Sequence, residues 1–186
     1  MTRRTIMALW GITDADESKP KWMTSAEKAD VFATSRGWVK LNGKGLEEVI
    51  CSIGGLSTAV GGADINTSAF VGAAFDVSTG GNIDVRLTFN EKVTVTGSPT
   101  IAITNSQAGG GSAASLTATY QSGSSSNKLV FRHTIGAAGS TVSADDVLSI
   151  AAQNIALAGG TIKDTGTTVN SGVAVPAGTA TNTAVA

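Results

Sequence analysis

The sequence predicts a mainly β protein, a β-sandwich of about seven to nine short strands preceded by an N-terminal arm with one short helix and a small hairpin. Three observations carry this. Ile83, Val85, Leu87 and Phe89 alternate with Asp84, Arg86, Thr88 and Asn90, and a period of two gives a strand one buried face and one wet face. Turn residues punctuate such runs along the chain, with 23 glycines among 186 residues. Composition also changes along the chain: residues 1–48 hold eight of the 13 basic residues, seven of the 14 acidic residues and all three tryptophans. A shift of this kind marks two parts with different work to do.

The helix comes first. Thr24 and Glu27 have the T-x-x-E spacing of a capping box, in which each side chain satisfies an orphan amide at a helix start. Ala26, Glu27, Lys28 and Ala29 are good helix formers. Arg36 suits the last turn and Gly37 a left-handed cap, so a helix is expected at about residues 25–36. Trp38 to Leu41 then reads as a strand, Asn42-Gly43 as a turn, and Leu46 to Ile53 as the second strand of a hairpin. Gly61-Gly62 ends this part.

Strand candidates follow in series: Ala69 to Phe75, Ile83 to Phe89, Val93 to Val95, Ile101 to Ile103, Leu116 to Tyr120, Lys128 to Ile135, Val147 to Ile150, Ile155 to Leu157 and Thr161 to Lys163. Gly97-Ser98-Pro99 and Gly109-Gly110-Gly111 supply loops between them. From Ala177 onward the residues are small and polar with little to bury, and a loose tail is expected. The organisation is therefore a docking arm over 1–65, a sandwich over 66–176 and a tail over 177–186.

Chemistry is sparse. Net charge is -1, which gives no electrostatic footprint for nucleic acid. No apolar run is long enough for a membrane helix, so neither nucleic acid nor membrane is expected as a partner. Ile6 to Trp10 is short for a signal peptide, and Asp14, Asp16 and Glu17 follow at once, so export by the general pathway is not expected. Met7 is an alternative start to Met1. The lone Cys51, in Val49-Ile50-Cys51, reads as a small buried hydrophobe and permits no intrachain disulfide.

His133 is the single histidine and falls inside a strand candidate. No G-x-S-x-G elbow accompanies the many serines. One Cys and one His cannot furnish a zinc site, and no glycine cluster has phosphate-loop spacing. The chain is expected not to be an enzyme and to need no cofactor. Calcium is the one exception considered, at Asp145, Asp146 and Asp164, although the spacing of a calcium loop is missing.

The arm offers the candidate binding residues. Trp and Arg dominate interface hot spots because they bury large area and still offer donors. Trp10, Lys21, Trp22, Arg36 and Trp38 are the candidate partner-binding set. The competing expectation packs the tryptophans under the helix with Phe32 and Val39, and Trp38 fits that best.

Two resemblances extend this. Val85-Arg86-Leu87-Thr88-Phe89-Asn90-Glu91-Lys92-Val93-Thr94-Val95-Thr96-Gly97-Ser98-Pro99-Thr100 resembles the repeat of bacterial Ig-like adhesin domains. The later pieces Tyr120 to Gly123, Leu129 to Phe131, Ala144 to Leu148 and Gly159 to Asp164 follow in the same order. The resemblance spans about residues 66–175 and implies an Ig-like sandwich without catalysis. Met7 to Gly11, Thr13 to Asp16, Lys19 to Lys21 and Ala33 to Val39 resemble the N-terminal region of virion structural proteins of tailed phages, in particular marine cyanophage-like myoviruses.

That second resemblance implies a capsid decoration protein on the head surface, made in the host cytoplasm. It would bind the major capsid protein or another virion protein, with a homo-oligomer on the particle as a further arrangement. A neck, tail or fibre-attachment position is the alternative. A cell-surface adhesin or carbohydrate-binding module is a third, and it would require a secretion signal and an aromatic platform that the sequence lacks.

Overall fold

The structure is a computed structural model, and it describes residues 19, 22–34, 36–52, 62–72, 74–106, 115–136, 142–143, 146–165, 169–178 and 180–185. The protein is mainly β and β-sandwich-like, built on a curled, largely antiparallel sheet.

The capping box forms as its spacing predicts. Helix α1 (Ser25–Asp30) begins with the Thr24 amide donating to Glu27 Oε2 (2.8 Å) and the Glu27 amide donating to Thr24 Oγ1 (3.3 Å). The helix is half the expected length. Val31 leaves it in an extended conformation, φ -92 and ψ 150, and the chain enters β1 (Phe32–Thr34), which pairs with β2 (Gly37–Leu41). Val31 and Phe32 are β-branched and aromatic, and Phe32 gains a cross-strand partner in Val39 that a helix would deny it.

Gly37 and Arg36 therefore serve a hairpin turn and not a helix end. Gly37 has φ +120, open to glycine at little cost. Thr34 Oγ1 accepts from the Arg36 amide (3.2 Å) and donates to Gly37 O (3.1 Å). The next turn is as expected: Asn42 Oδ1 accepts from the amides of Lys44 and Leu46, each at 3.0 Å. It leads to β3 (Glu47–Ser52), the outer strand of this three-stranded sheet.

The second part begins with β4 (Ile65–Phe70) and β5 (Ala74–Asp76). A single strand over 69–75 was expected. A turn divides it, with Gly72 at φ +113. Then come β6 (Gly81–Thr96), β7 (Thr100–Ser106), β8 (Leu116–Ser122), β9 (Ser126–Ile135), β10 (Val147–Ser149), β11 (Gln153–Asn154), β12 (Thr161–Asp164), β13 (Ala174–Val175) and β14 (Asn182–Val185). The main sheet runs β12-β6-β9-β8-β7-β10-β14-β5, with β4 also on β6. The short pair β11-β13 stands apart from it.

Ile155 to Leu157 is not a strand. Ile155 donates its amide to Val173 O (2.9 Å), and Ala156 forms an isolated bridge to Thr100. The tail is not loose either. Its residues 182–185 form β14, antiparallel to β10 and parallel to β5. Two flanking strands offer their backbone groups, and that is enough for a strand.

Strand β6 organises the molecule. It carries β9 along Gly81 to Thr88, β4 along Val85 to Phe89 and β12 along Val93 to Thr96. The register with β9 slips between Thr88 and Val93. Such irregularities bend a strand and raise its twist, and here the sheet curls. The core includes Ile83, Val85, Leu87, Phe89, Ile103, Leu129, Phe131 and Leu148. The wet face expected of β6 is only partly wet: Thr88 and Asn90 are buried. Asn90 Oδ1 accepts from the Asp64 amide (2.7 Å), and α1 and β1 both lie against β6. Ion pairs cross this junction, Lys128 to Asp30 and Lys92 to Glu47. The Lys92 ammonium also lies 5.4 Å from the Phe32 ring centroid, a cation–π distance.

Candidate functional site

Packing α1 across β4 and β6 leaves a cleft of about 680 Å³. Trp22, Met23, Ala26 and Val31 line it from the helix side, Lys40 and Ile50 from the hairpin, and Thr67, Ala69, Arg86 and Thr88 from the sheet. The alternation of β6 and the register Ala69↔Arg86 and Thr67↔Thr88 set these four residues on one face. Ser68 points the other way: it is buried, and its hydroxyl donates to Pro176 O (2.7 Å). The volume is of the size that binds small ligands or a few side chains of a partner. Among the described residues no histidine or cysteine lines the cleft.

The charges around the cleft are unequal in their engagements. Glu27 is spent on the cap, and the Thr24 amide and hydroxyl hold its carboxyl below the usual carboxylate range. Asp30 pairs with Lys128, and Lys40 Nζ lies 3.8 Å from Glu48. Arg86 is exposed and makes no hydrogen bond or ion pair among the described residues. Glu47 lies outside the cleft. Its carboxyl is also held low, first by the hydrogen bond from Lys92 and then by the nearby Arg36 charge.

The structure separates the sequence-predicted set. Trp10 and Lys21 lie outside the described residues. Trp22 is 66% exposed on the cleft rim. Arg36 is exposed in the β1-β2 turn and paired with Glu47, away from the cleft.

Trp38 is a correction. It is 0% exposed, packed with Met23 and Val31 and backed by Ile50 and Cys51, so its indole cannot meet a partner. On β2 it faces inward beneath α1, with the Lys19 ammonium 5.6 Å from the ring centroid. Cys51 is half-buried there rather than enclosed.

Of the three candidate calcium acids, Asp146 is engaged within the fold. Asp146 is buried and accepts from Asn105 Nδ2 (2.9 Å) and from the Ser143 amide (2.8 Å). Asp164 is buried on β12, and Asp145 lies outside the described residues. Among the described residues no cluster of three His, Cys, Asp or Glu side chains could hold a metal ion. His133 Nδ1 donates to Thr117 O (2.7 Å). No helix among the described residues is long and apolar enough to cross a membrane.

Arg86, Lys40, Ile50, Thr67 and Ala69 escaped the sequence-based set. Arg86 stands in a strictly alternating strand, where its position reads as an ordinary wet face. Only the helix laid across that face makes it part of a cleft. Comparison with protein-family models, curated proteins and solved structures finds no match to this chain.

Proposed function

We propose that this chain is a non-enzymatic virion structural protein, a capsid decoration protein that binds the major capsid protein through its N-terminal segment and holds an Ig-like sandwich outward from the head surface. The observation that carries a docking role is Trp22. A large apolar side chain stands two-thirds exposed on a cleft rim, inside a segment anchored to the sheet by Asp30 and Glu47. A pre-ordered anchor loses little conformational freedom on binding. The virion assignment is supported by the resemblance of Met7 to Gly11, Thr13 to Asp16, Lys19 to Lys21 and Ala33 to Val39 to tailed-phage virion proteins. A repeated lattice would multiply modest contacts by avidity.

Co-sedimentation with expanded capsids tests this. Full-length protein should pellet with them. A variant lacking residues 1–18 and carrying Trp22→Ala should stay in solution. It keeps α1 and β1 to β3, and a thermal melt matching that of the full-length protein separates lost binding from lost folding. No pelleting of the full-length protein, or equal pelleting of the variant, defeats the proposal. Copy number by quantitative mass spectrometry of particles then fixes the position. Roughly hundreds per particle means head, and about six or twelve means a symmetric neck or tail ring.

A further inference from the structure

We propose that the cleft takes an extended peptide segment of a partner protein, carrying a carboxylate and a large apolar side chain on the same face, laid along β4. The cleft thereby gives a partner chemistry to the docking role proposed above, on which it rests only for there being a protein partner.

The carboxylate follows from Arg86. Among the described residues four charged ones line the cleft: Glu27, Asp30, Lys40 and Arg86. The first three have engagements within the chain. Arg86 has none among the described residues. A guanidinium presents a planar fork of donors that matches a carboxylate in two parallel hydrogen bonds. Beside the apolar wall of Met23, Val31 and Ile50 such a pair is partly shielded from water, where it is worth more than on an open surface.

The apolar side chain follows from Trp22. Its indole is exposed on the rim and aromatic faces attract apolar and aromatic groups. A small anion alone would satisfy Arg86 and leave this surface in water.

The extended form follows from β4. Thr67, Ser68 and Ala69 are consecutive, and all three line the cleft. Successive side chains of a strand point to opposite faces, and the Ser68 side chain is turned away to Pro176. Ser68 therefore meets the cleft through its backbone. Among the described residues β4 enters a ladder with β6 alone. A strand with one unpaired edge is a template for an added strand. A peptide in that conformation sets alternate side chains on one face, one toward Arg86 and the next but one toward Trp22.

The test uses purified full-length protein and a blocked, dye-labelled peptide of alternating Thr and Val with Glu and Phe on the same face. A second peptide has Lys in place of Glu. By fluorescence anisotropy the Glu peptide should bind at least about tenfold more tightly than the Lys peptide. Arg86→Gln should erase that preference. Trp22→Ala should weaken the Glu peptide by about tenfold, while Lys44→Gln, in the exposed turn, leaves both affinities unchanged. Amide exchange along β4 should slow in the complex.

No binding of either peptide overturns the proposal, as does equal binding of both, or an affinity that Arg86→Gln leaves intact. Concentration-dependent dimers abolished by Arg86→Gln overturn it in favour of a second copy of this chain as occupant. The assay contains no particles and the capsid assay contains no peptide, so failure of one is distinct from failure of the other.

Discussion

Trp22 and Trp38 show how one residue type takes opposite roles on either side of one short helix. Trp38 sits on β2 and points beneath α1, fully buried with Met23 and Val31. Trp22 precedes the helix cap and projects onto the cleft rim. Large-to-small changes cost the lost burial plus the cavity left behind. Trp38→Ala should therefore destabilise the protein by about 3–5 kcal/mol, roughly 6–20 °C in Tm. Trp22→Ala should change stability by less than about 1 kcal/mol. Paired thermal melts check both, and equal shifts would contradict the burial assigned here. Trp38 is legible as a packing residue from its place between the expected helix end and a strand. Nothing in the sequence separates Trp22 from Trp10.

At the scale of elements, the legible features were those fixed within a few residues. The Thr24-x-x-Glu27 box and the Asn42 turn depend on side chains reaching neighbouring amides, and both form as their spacing predicts. The extent of α1 was not legible in the same way. Its end at Asp30 is set by pairing of Phe32 with Val39 across a turn, and a tertiary partner of this kind overrides the helix propensity of Lys28 and Ala29. The cleft was illegible for a similar reason, because it exists only where α1 crosses β6.

The attachment of the β1–β3 sheet to β6 has a measurable electrostatic part. Lys92 and Arg36 hold the Glu47 carboxyl below its ordinary range. A carboxyl with a lowered folded-state pKa adds stability above its unfolded pKa, about 4.3, and loses it as pH falls through the lower folded value. The wild-type protein should exceed Glu47→Gln in stability at neutral pH by about 1 kcal/mol or less, as suits a partly exposed pair. That gap should close as the pH drops below about 4. Urea titrations across this range check it. A gap unchanged in acid would mean that Glu47 acts through packing and not charge.

For the whole molecule, the issue is whether the N-terminal part is an appendage or a piece of the fold. Composition separates it at about residue 48, yet composition reports surface chemistry and is blind to packing. The structure lays α1 and β1 on β6, the strand that also carries β4, β9 and β12. Thr88 is buried on β6 and lines the cleft beneath α1. Lifting this cover off would expose polar groups that a sandwich could tolerate wet, but it would also uncover Phe32, whose strand β1 lies on β6. The two parts should therefore unfold together.

The placement of the chromophores makes that separable by experiment. All three tryptophans lie in residues 1–48, so tryptophan fluorescence reports the N-terminal part. The strands lie mostly beyond it, so far-ultraviolet circular dichroism reports the sheet. Coincident transitions are the mark of all-or-none unfolding. In urea the two signals should share one midpoint, and Trp38→Ala should lower both by the same amount. If fluorescence changes first and the dichroism midpoint stays in place, the N-terminal part is a separate unit resting on the sandwich. Its cleft would then open and close independently of the sheet.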